Sequence, residues 1–148
     1  MGYRGVGLGV RLIGSDYPSV QLAIASQMVF REVLALIIDD NCILVDDENV
    51  EYYCIVDKYG LNTMAGSAIN VLFGPLAWAT ASTAAGSGLV DGVHKLVFIK
   101  LKNGNRVLIQ VEEMYMHMIK SHNKISKKKM SEENLEWIRY WLDLYYSR

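Results

Sequence analysis

The stretch KLVFIKLKNGNRVLIQV, residues 95–111, is the clearest structural signal in this chain of 148 amino acids. Two runs of apolar and β-branched residues flank the dipeptide Asn103-Gly104. Both residues of that dipeptide accept a positive φ, which a type I′ turn between antiparallel strands requires. The stretch therefore predicts a β-hairpin with its turn at Asn103-Gly104, and the other elements can be assigned outward from it.

Two further strands are predicted upstream of this hairpin. Residues 41–45 form a short apolar run, and residues 50–57 alternate between apolar and polar side chains. The residues between them, Asp46-Asp47-Glu48-Asn49, have the composition of a turn. We predict that the two strands pair as a second hairpin, giving an antiparallel sheet of about four strands.

The N-terminal part is predicted to be a glycine-rich lead-in over residues 1–17, followed by a helix over residues 18–38. Pro18 beside short polar residues is typical of a helix start. Apolar side chains then recur at helical spacing. These are Leu22, Ala23, Met28, Val29, Val33, Leu36 and Ile37.

Two helices are predicted at the C-terminal end. The first opens at Glu112-Glu113, where acidic residues suit the helix dipole, and it fades in residues 120–129. Ser131 is the predicted N-cap of the second, which covers residues 131–148. The predicted fold is therefore a single α+β domain over residues 1–148, with an N-terminal helix, two hairpins and two C-terminal helices.

The region from Val50 to Ile119 resembles a pattern found in small bacterial PH-like proteins. The matching parts are residues 51–57 as a strand, residues 66–88 as a Gly/Ala-rich insertion, residues 95–111 as a hairpin and residues 112–119 as a helix start. The resemblance covers about half of the chain and implies a binding or membrane-proximal module without catalysis.

Residues 59–90 form a run of 32 amino acids without a charged side chain, rich in Gly, Ala, Ser and Thr. Three structures are compatible with this segment: a membrane span or hairpin, a buried or intersubunit helix of small residues, and a long irregular loop. A buried or intersubunit helix is the interpretation we favour. Its candidate interface residues are Ala77, Ala81 and Ala85, which recur every four residues, and Trp78 as an anchor.

The predicted C-terminal helix is strongly aromatic. Trp137, Trp141 and Tyr145 are our interface candidates there, because a helix of this kind at a chain end can be a docking surface. Aromatic residues at helical spacing can equally belong to the core. The two alternatives remain open at the level of the sequence.

Charges are segregated along the chain, although the formal net charge is only −1. Residues 32–57 hold eight acidic and no basic side chains, whereas residues 95–129 hold nine basic and two acidic ones. Such segregation favours self-association or an oriented partner. The densest basic patch could contact a protein, anionic lipid or nucleic acid, or be a solvated linker. It comprises Lys124, Lys127, Lys128 and Lys129.

Several classes of protein are excluded or not supported. A hydrophobic fraction of 51% excludes intrinsic disorder, and the near-neutral charge argues against a nucleic-acid coat protein. The glycines near the N-terminus match neither phosphate-binding fingerprint, and His94, His117 and His122 lack metal-ligand spacing. Cys42 and Cys54 are predicted to be buried, reduced thiols.

We therefore predict a non-enzymatic binding or assembly module with no cofactor or metal. Its partner is another copy of itself, another protein, or both, and no nucleic-acid partner is expected. The N-terminus lacks the apolar core of a secretory signal, which indicates a cytoplasmic protein. The alternative is a membrane-associated protein that inserts residues 66–88 and places a basic patch, residues 120–129, against anionic lipid.

Overall fold

The computed structural model describes residues 2–5, 9–28, 31–56, 94–123 and 130–146, and these ranges contain two antiparallel four-stranded sheets. Sheet A has the strand order β1-β3-β4-β5, and sheet B has the order β2-β8-β7-β6. The strands are β1 Gly2–Gly5, β2 Val10–Ser15, β3 Gln21–Met28, β4 Arg31–Ile38, β5 Asn41–Leu44, β6 Val50–Val56, β7 His94–Leu101 and β8 Arg106–Glu112.

The predicted N-terminal helix over residues 18–38 is wrong, because this region forms the antiparallel strand pair β3–β4. Leu34 and Leu36 of β4 lie in one hydrophobic cluster, whereas Val33 and Ala35 lie in another. The strand is thus apolar on both faces, so its sequence is a nearly continuous apolar run. Such a run satisfies helical spacing as well as strand alternation, and periodicity alone cannot separate the two.

The lead-in over residues 1–17 also contains strands. The backbone of β1 pairs with β3, and β2 pairs with β8 at the edge of sheet B. The register of β2 shifts between Leu12 and Gly14, which indicates a bulge in this edge strand.

The strands predicted at residues 41–45 and 50–57 exist, but they do not pair with each other. β5 pairs with β4 in sheet A, and β6 pairs with β7 in sheet B. The acidic connection between them crosses from one sheet to the other. Asp46 Oδ1 accepts hydrogen bonds from the backbone N–H groups of Glu48 and Asn49. This is the side-chain-to-backbone bonding by which aspartate stabilises a turn.

The hairpin of β7 and β8 is confirmed, with Lys100 opposite Arg106 at its closed end. Its turn is not type I′, because Gly104 has a φ of 95° while Asn103 lacks a positive φ. The Gly104 N–H donates to the Leu101 carbonyl at 3.0 Å, and Gly104 is the one residue of this turn with a positive φ. This combination is a type I turn followed by a G1 bulge.

The prediction of two C-terminal helices is wrong for the first of them. Residues Glu113–Tyr115 form a 3-10 turn, and α1 is a single turn over His117–Lys120. The long helix α2 spans Glu132–Tyr146. Met116 and Met118 are buried in the hydrophobic cluster to which both sheets contribute.

The layers of the fold follow from the two faces of sheet B. One face packs against sheet A, through Val97 and Ile109 of sheet B and Leu34 of sheet A. The other face packs against α2, through Phe98 of sheet B and Ile138 of the helix. The order of layers is therefore sheet A, sheet B and α2, with the central strands β7 and β8 buried on both sides.

Candidate functional site

The interface residues predicted on the C-terminal helix, Trp137, Trp141 and Tyr145, all lie on α2. They are partly buried and pack against the hydrophobic cluster between α2 and sheet B. Each therefore contributes to the core and keeps part of its surface accessible.

Trp137 is held by contacts with sheet B on several sides. Its ring meets Phe98 edge-on, with 5.6 Å between the centroids, and the guanidinium of Arg106 lies 5.0 Å from its ring centroid. Its indole Nε1 donates a hydrogen bond of 2.9 Å to Asp16 Oδ1. These contacts fix the orientation of the indole, and cation–π attraction adds to the area that it buries.

Asp16 and Arg106 are the polar centre of this contact. The Arg106 side chain donates to both carboxylate oxygens of Asp16, through Nε at 2.8 Å and Nη2 at 3.2 Å. The Arg106 backbone N–H donates to Oδ2 at 2.8 Å as well. Partial burial by itself would raise the pKa of Asp16, but these hydrogen bonds, the charge of Arg106 and the Trp137 indole together lower it.

The network continues into the helix through Asn134. Arg106 Nη1 donates to Asn134 Oδ1 at 3.3 Å, and Asn134 Nδ2 donates to the Tyr52 hydroxyl at 2.8 Å. Burial raises the pKa of Tyr52, so the neutral phenol is retained as the acceptor. Through Asn134 and Trp137, this network connects α2 to sheet B.

Trp141 packs directly over β2. A Cβ atom added at Gly14 would overlap the Trp141 indole, so this close approach requires glycine. The buried Trp141 Nε1 has no hydrogen-bond partner in the part of the chain that the structure describes. One turn further along the helix, the Tyr145 hydroxyl accepts a hydrogen bond of 3.1 Å from Arg11 Nη1.

The outer side of α2 exposes apolar side chains next to these tryptophans. Tyr140 is 59% exposed and Leu144 is 37% exposed. The Tyr140 and Trp141 rings meet edge-on, with 5.3 Å between their centroids. At 3.6 residues per turn, Tyr140, Leu144, Trp137 and Trp141 occupy about 100° of the helix circumference. We call these four residues the aromatic strip.

Charged side chains occupy the exposed side of the helix beyond the aromatic strip. Glu136 and Arg139 are exposed, and Arg139 forms an ion pair with Asp143 at 4.0 Å, one turn apart. Tyr140 and Leu144 were not among the predicted site residues. Their four-residue spacing, flanked by charged positions, is the sequence signal that places them on the exposed side.

The remaining predicted site residues lie outside the described residues. This applies to Ala77, Trp78, Ala81 and Ala85 in the segment 59–90. It applies equally to the basic patch of Lys124, Lys127, Lys128 and Lys129.

Within the described residues, part of the acidic region lies beside part of the basic region. The Lys102 backbone N–H donates to the Asn49 carbonyl at 2.8 Å, and the Asp47 backbone N–H donates to the His122 carbonyl at 3.0 Å. The acidic connection between β5 and β6 thus lies beside residues of the basic half of the chain. Segregation along the sequence does not produce two distant patches at these positions.

The two cysteines occupy different environments, and the prediction that both are buried is wrong for Cys42. Cys42 is exposed on the edge strand β5, whereas Cys54 is buried in sheet B. Burial raises the pKa of the Cys54 thiol to about 11.

The described residues contain no group of three or more His, Cys, Asp or Glu side chains arranged to hold a metal ion. None of the helices within these ranges combines the length and the apolar character needed to cross a membrane. Comparison of the chain with protein-family models, with curated proteins and with solved structures finds no match in any of the three.

Proposed function

We propose that this protein is a non-enzymatic binding or assembly module that acts as a homo-oligomer or within a larger complex, with the aromatic strip of α2 as its contact surface. The observation that carries this proposal is the exposure of Tyr140 and Leu144 beside two tryptophans whose inner edges are already fixed against sheet B. Tyrosine and tryptophan are enriched in protein–protein interfaces, and side chains held rigidly lose little entropy on binding.

A two-fold interface uses the same surface on both copies, so a second copy of the chain would place its own aromatic strip against this one. A binding role is also what the resemblance to PH-like proteins implies.

The proposal is tested by the double variant Tyr140→Ser/Leu144→Ser. Self-association, measured by analytical ultracentrifugation, should weaken by roughly tenfold or more, the effect of losing about 1.4 kcal/mol at a buried aromatic contact. Glu132→Ser is the matched control, because Glu132 is exposed on α2 but lies away from the strip. An unchanged association constant in the double variant, with the fold intact, would reject the strip as the contact surface.

A further inference from the structure

One edge of sheet A is formed by the short strand β5, Asn41–Leu44. Asn41 and Cys42 of this strand are exposed. β5 stands last in the strand order of its sheet, so among the described residues only β4 pairs with it. A strand in this position has backbone N–H and C=O groups that point away from the sheet, and these groups can pair with a further strand.

The hydrogen-bonding pattern indicates which backbone groups of β5 are open. The Val45 N–H donates to the Leu34 carbonyl of β4 at 2.8 Å. Since alternate residues of an antiparallel strand bond to the same neighbour, Cys42 and Leu44 direct their backbone groups away from β4. The Leu44 carbonyl accepts a hydrogen bond of 2.9 Å from Asn49 Nδ2. The N–H and C=O of Cys42 and the N–H of Leu44 are therefore the groups that a further strand would use.

The side chains of a strand added at this edge would alternate between two surroundings. Ile43 lies opposite Leu36 and packs against the hydrophobic cluster to which both sheets contribute. A residue opposite Ile43 on the added strand would point towards this cluster, so an apolar side chain suits that position. The residues before and after it would point to the other face of the sheet, where Cys42 is exposed.

Acidic side chains stand at both ends of β5. Residues 39–48 include five acidic residues and no basic one. Among the described residues, no Lys or Arg forms an ion pair with Asp40 or Asp46. The edge is therefore an acidic surface with open backbone groups at its centre. Its acidic members are Asp39, Asp40, Asp46, Asp47 and Glu48.

These charges oppose pairing between the β5 strands of two copies of the chain. Antiparallel pairing would place the acidic start of one strand beside the acidic end of the other. In the register that sets Cys42 opposite Leu44 of the second copy, Asp40 would lie opposite Asp46 of that copy. Like charges directly opposite each other destabilise a sheet. The same charges attract a strand with basic residues at its ends, which makes the edge selective for such a partner.

We propose that the edge of β5 binds an extended segment of a partner protein that has an apolar residue at its centre and a basic residue at each end. The segment adds an antiparallel strand to sheet A, like the other pairs of this sheet. In that register the residues opposite Asp40 and Asp46 are six positions apart, and the residue opposite Ile43 lies midway between them. The inference does not depend on the aromatic strip of α2, because α2 packs on sheet B.

The first test uses the synthetic peptide Lys-Thr-Thr-Val-Thr-Thr-Lys, which has the proposed pattern, with a fluorescent label. Its binding to the full chain is measured by fluorescence anisotropy. We expect the peptide Glu-Thr-Thr-Val-Thr-Thr-Glu to bind at least roughly tenfold more weakly, because its charges are reversed. Equal binding of the two peptides, or no binding of the basic one at about 1 mM, would overturn the inference.

The second test asks whether the basic peptide pairs through its backbone. In the antiparallel register the fifth residue of the peptide lies opposite Cys42 and its amide faces β5, whereas the amide of the sixth residue faces away. N-methylation of the fifth amide should weaken binding by roughly tenfold or more, and N-methylation of the sixth by less than about threefold. Equal effects at the two positions would overturn the inference, because charge alone would then hold the peptide.

The third test changes the edge itself. An edge strand tolerates proline where the nitrogen faces away from the sheet, so Cys42→Pro removes an open N–H. We expect Cys42→Pro to bind the basic peptide at least roughly tenfold more weakly than the matched variant Cys42→Ser. Asp40→Lys should also weaken binding, whereas Glu132→Lys, exposed on α2, should not. Unchanged binding in Asp40→Lys, or in a folded Cys42→Pro, would overturn the inference.

Two further outcomes are decided by the same set of variants. If Cys42→Pro does not fold, Asp40→Lys and the N-methylated peptides decide, since they leave the β5 backbone unchanged. Self-association that Cys42→Ser retains, that a folded Cys42→Pro loses and that Tyr140→Ser/Leu144→Ser leaves intact would also overturn the inference. The edge would then bind a second copy of the chain instead of a basic partner.

Discussion

Arg106 and Asp16 form a two-point ion pair in which Nε and Nη2 of the arginine each donate to one carboxylate oxygen. The pair connects three elements: Asp16 follows β2, Arg106 begins β8, and both residues contact Trp137 of α2. It therefore fixes the N-terminal half of the helix, and with it the aromatic strip, on sheet B. Hydrogen bonds in which both groups are charged are the strongest of their kind in proteins.

The substitution Asp16→Asn should destabilise the protein at neutral pH by roughly 1–2 kcal/mol, at the lower end for a charged hydrogen bond because the pair is partly exposed. The folded protein holds the pKa of Asp16 below its ordinary value of 3.8. Its contribution is therefore fully present above the pKa of the unfolded chain and is lost as the pH falls through the lower pKa of the folded state.

Urea unfolding at about pH 7 and about pH 3 measures this dependence, since the difference between wild type and Asp16→Asn should shrink in acid. Asp143→Asn is the control, because its carboxylate is exposed in a long ion pair and should contribute little at either pH. A difference that stays constant between the two pH values would contradict the assigned ion pair.

The two central tryptophans of α2 should respond differently to replacement by phenylalanine. Trp137→Phe removes a hydrogen bond to Asp16, whereas Trp141→Phe removes a buried N–H that lacks a described acceptor. Both substitutions remove a similar apolar area, so the difference in hydrogen bonding decides which variant is less stable. We expect Trp137→Phe to lower the free energy of unfolding by roughly 1–3 kcal/mol more than Trp141→Phe. Equal or reversed effects in urea unfolding would contradict this assignment.

Gly14→Ala should destabilise the protein through steric overlap with the Trp141 ring, by roughly 1–3 kcal/mol. Gly104→Ala provides a comparison, because its Cβ would enter open space and its cost arises from the positive φ alone. Combining Gly14→Ala with Trp141→Ala, which removes the ring that the new methyl group overlaps, should recover part of the loss, whereas Gly104→Ala with Trp141→Ala should be additive. Additive effects in the first pair would show that Gly14 and Trp141 do not meet.

The cysteines should differ in reactivity towards a maleimide in the native protein. Cys42 is exposed and should be labelled, while Cys54 combines burial with a pKa of about 11 and should react only after unfolding. Mass spectrometry of peptides from protein labelled with and without denaturant distinguishes the two sites. Labelling of Cys54 in the native protein at the rate of Cys42 would contradict the position of β6 in the core.

The hairpin of residues 95–111 could be predicted from sequence because its information is local: an Asn-Gly turn lies between two apolar runs. The region 18–38 could not, because β3 and β4 carry apolar side chains on both faces and the resulting apolar run fits a helix equally well. The face on which each of these residues lies is set by the strand pairing in sheet A. This pairing puts Ala23 opposite Ala35, in a cluster separate from the core between the sheets.

The strands with which β5 and β6 pair could not be predicted from sequence either. The turn chemistry at Asp46 was recognisable, but whether the chain returns to the same sheet or crosses to the other depends on strands that are distant in sequence. At the candidate site, the aromatic helix was predictable from composition. The contacts that bury part of Trp137 were not, because they come from Phe98 of β7 and Arg106 of β8, which are distant in sequence.

The central claim, assembly through the aromatic strip of α2, is tested most directly by light scattering coupled to size exclusion on protein expressed without detergent. Wild type and Tyr140→Ser/Leu144→Ser would be compared over a series of concentrations. We expect a monodisperse multimer for the wild type and a shift towards monomer for the double variant. A monomeric wild type at every concentration, a multimer that the double variant leaves intact, or a chain that only detergent releases from membranes would contradict this account.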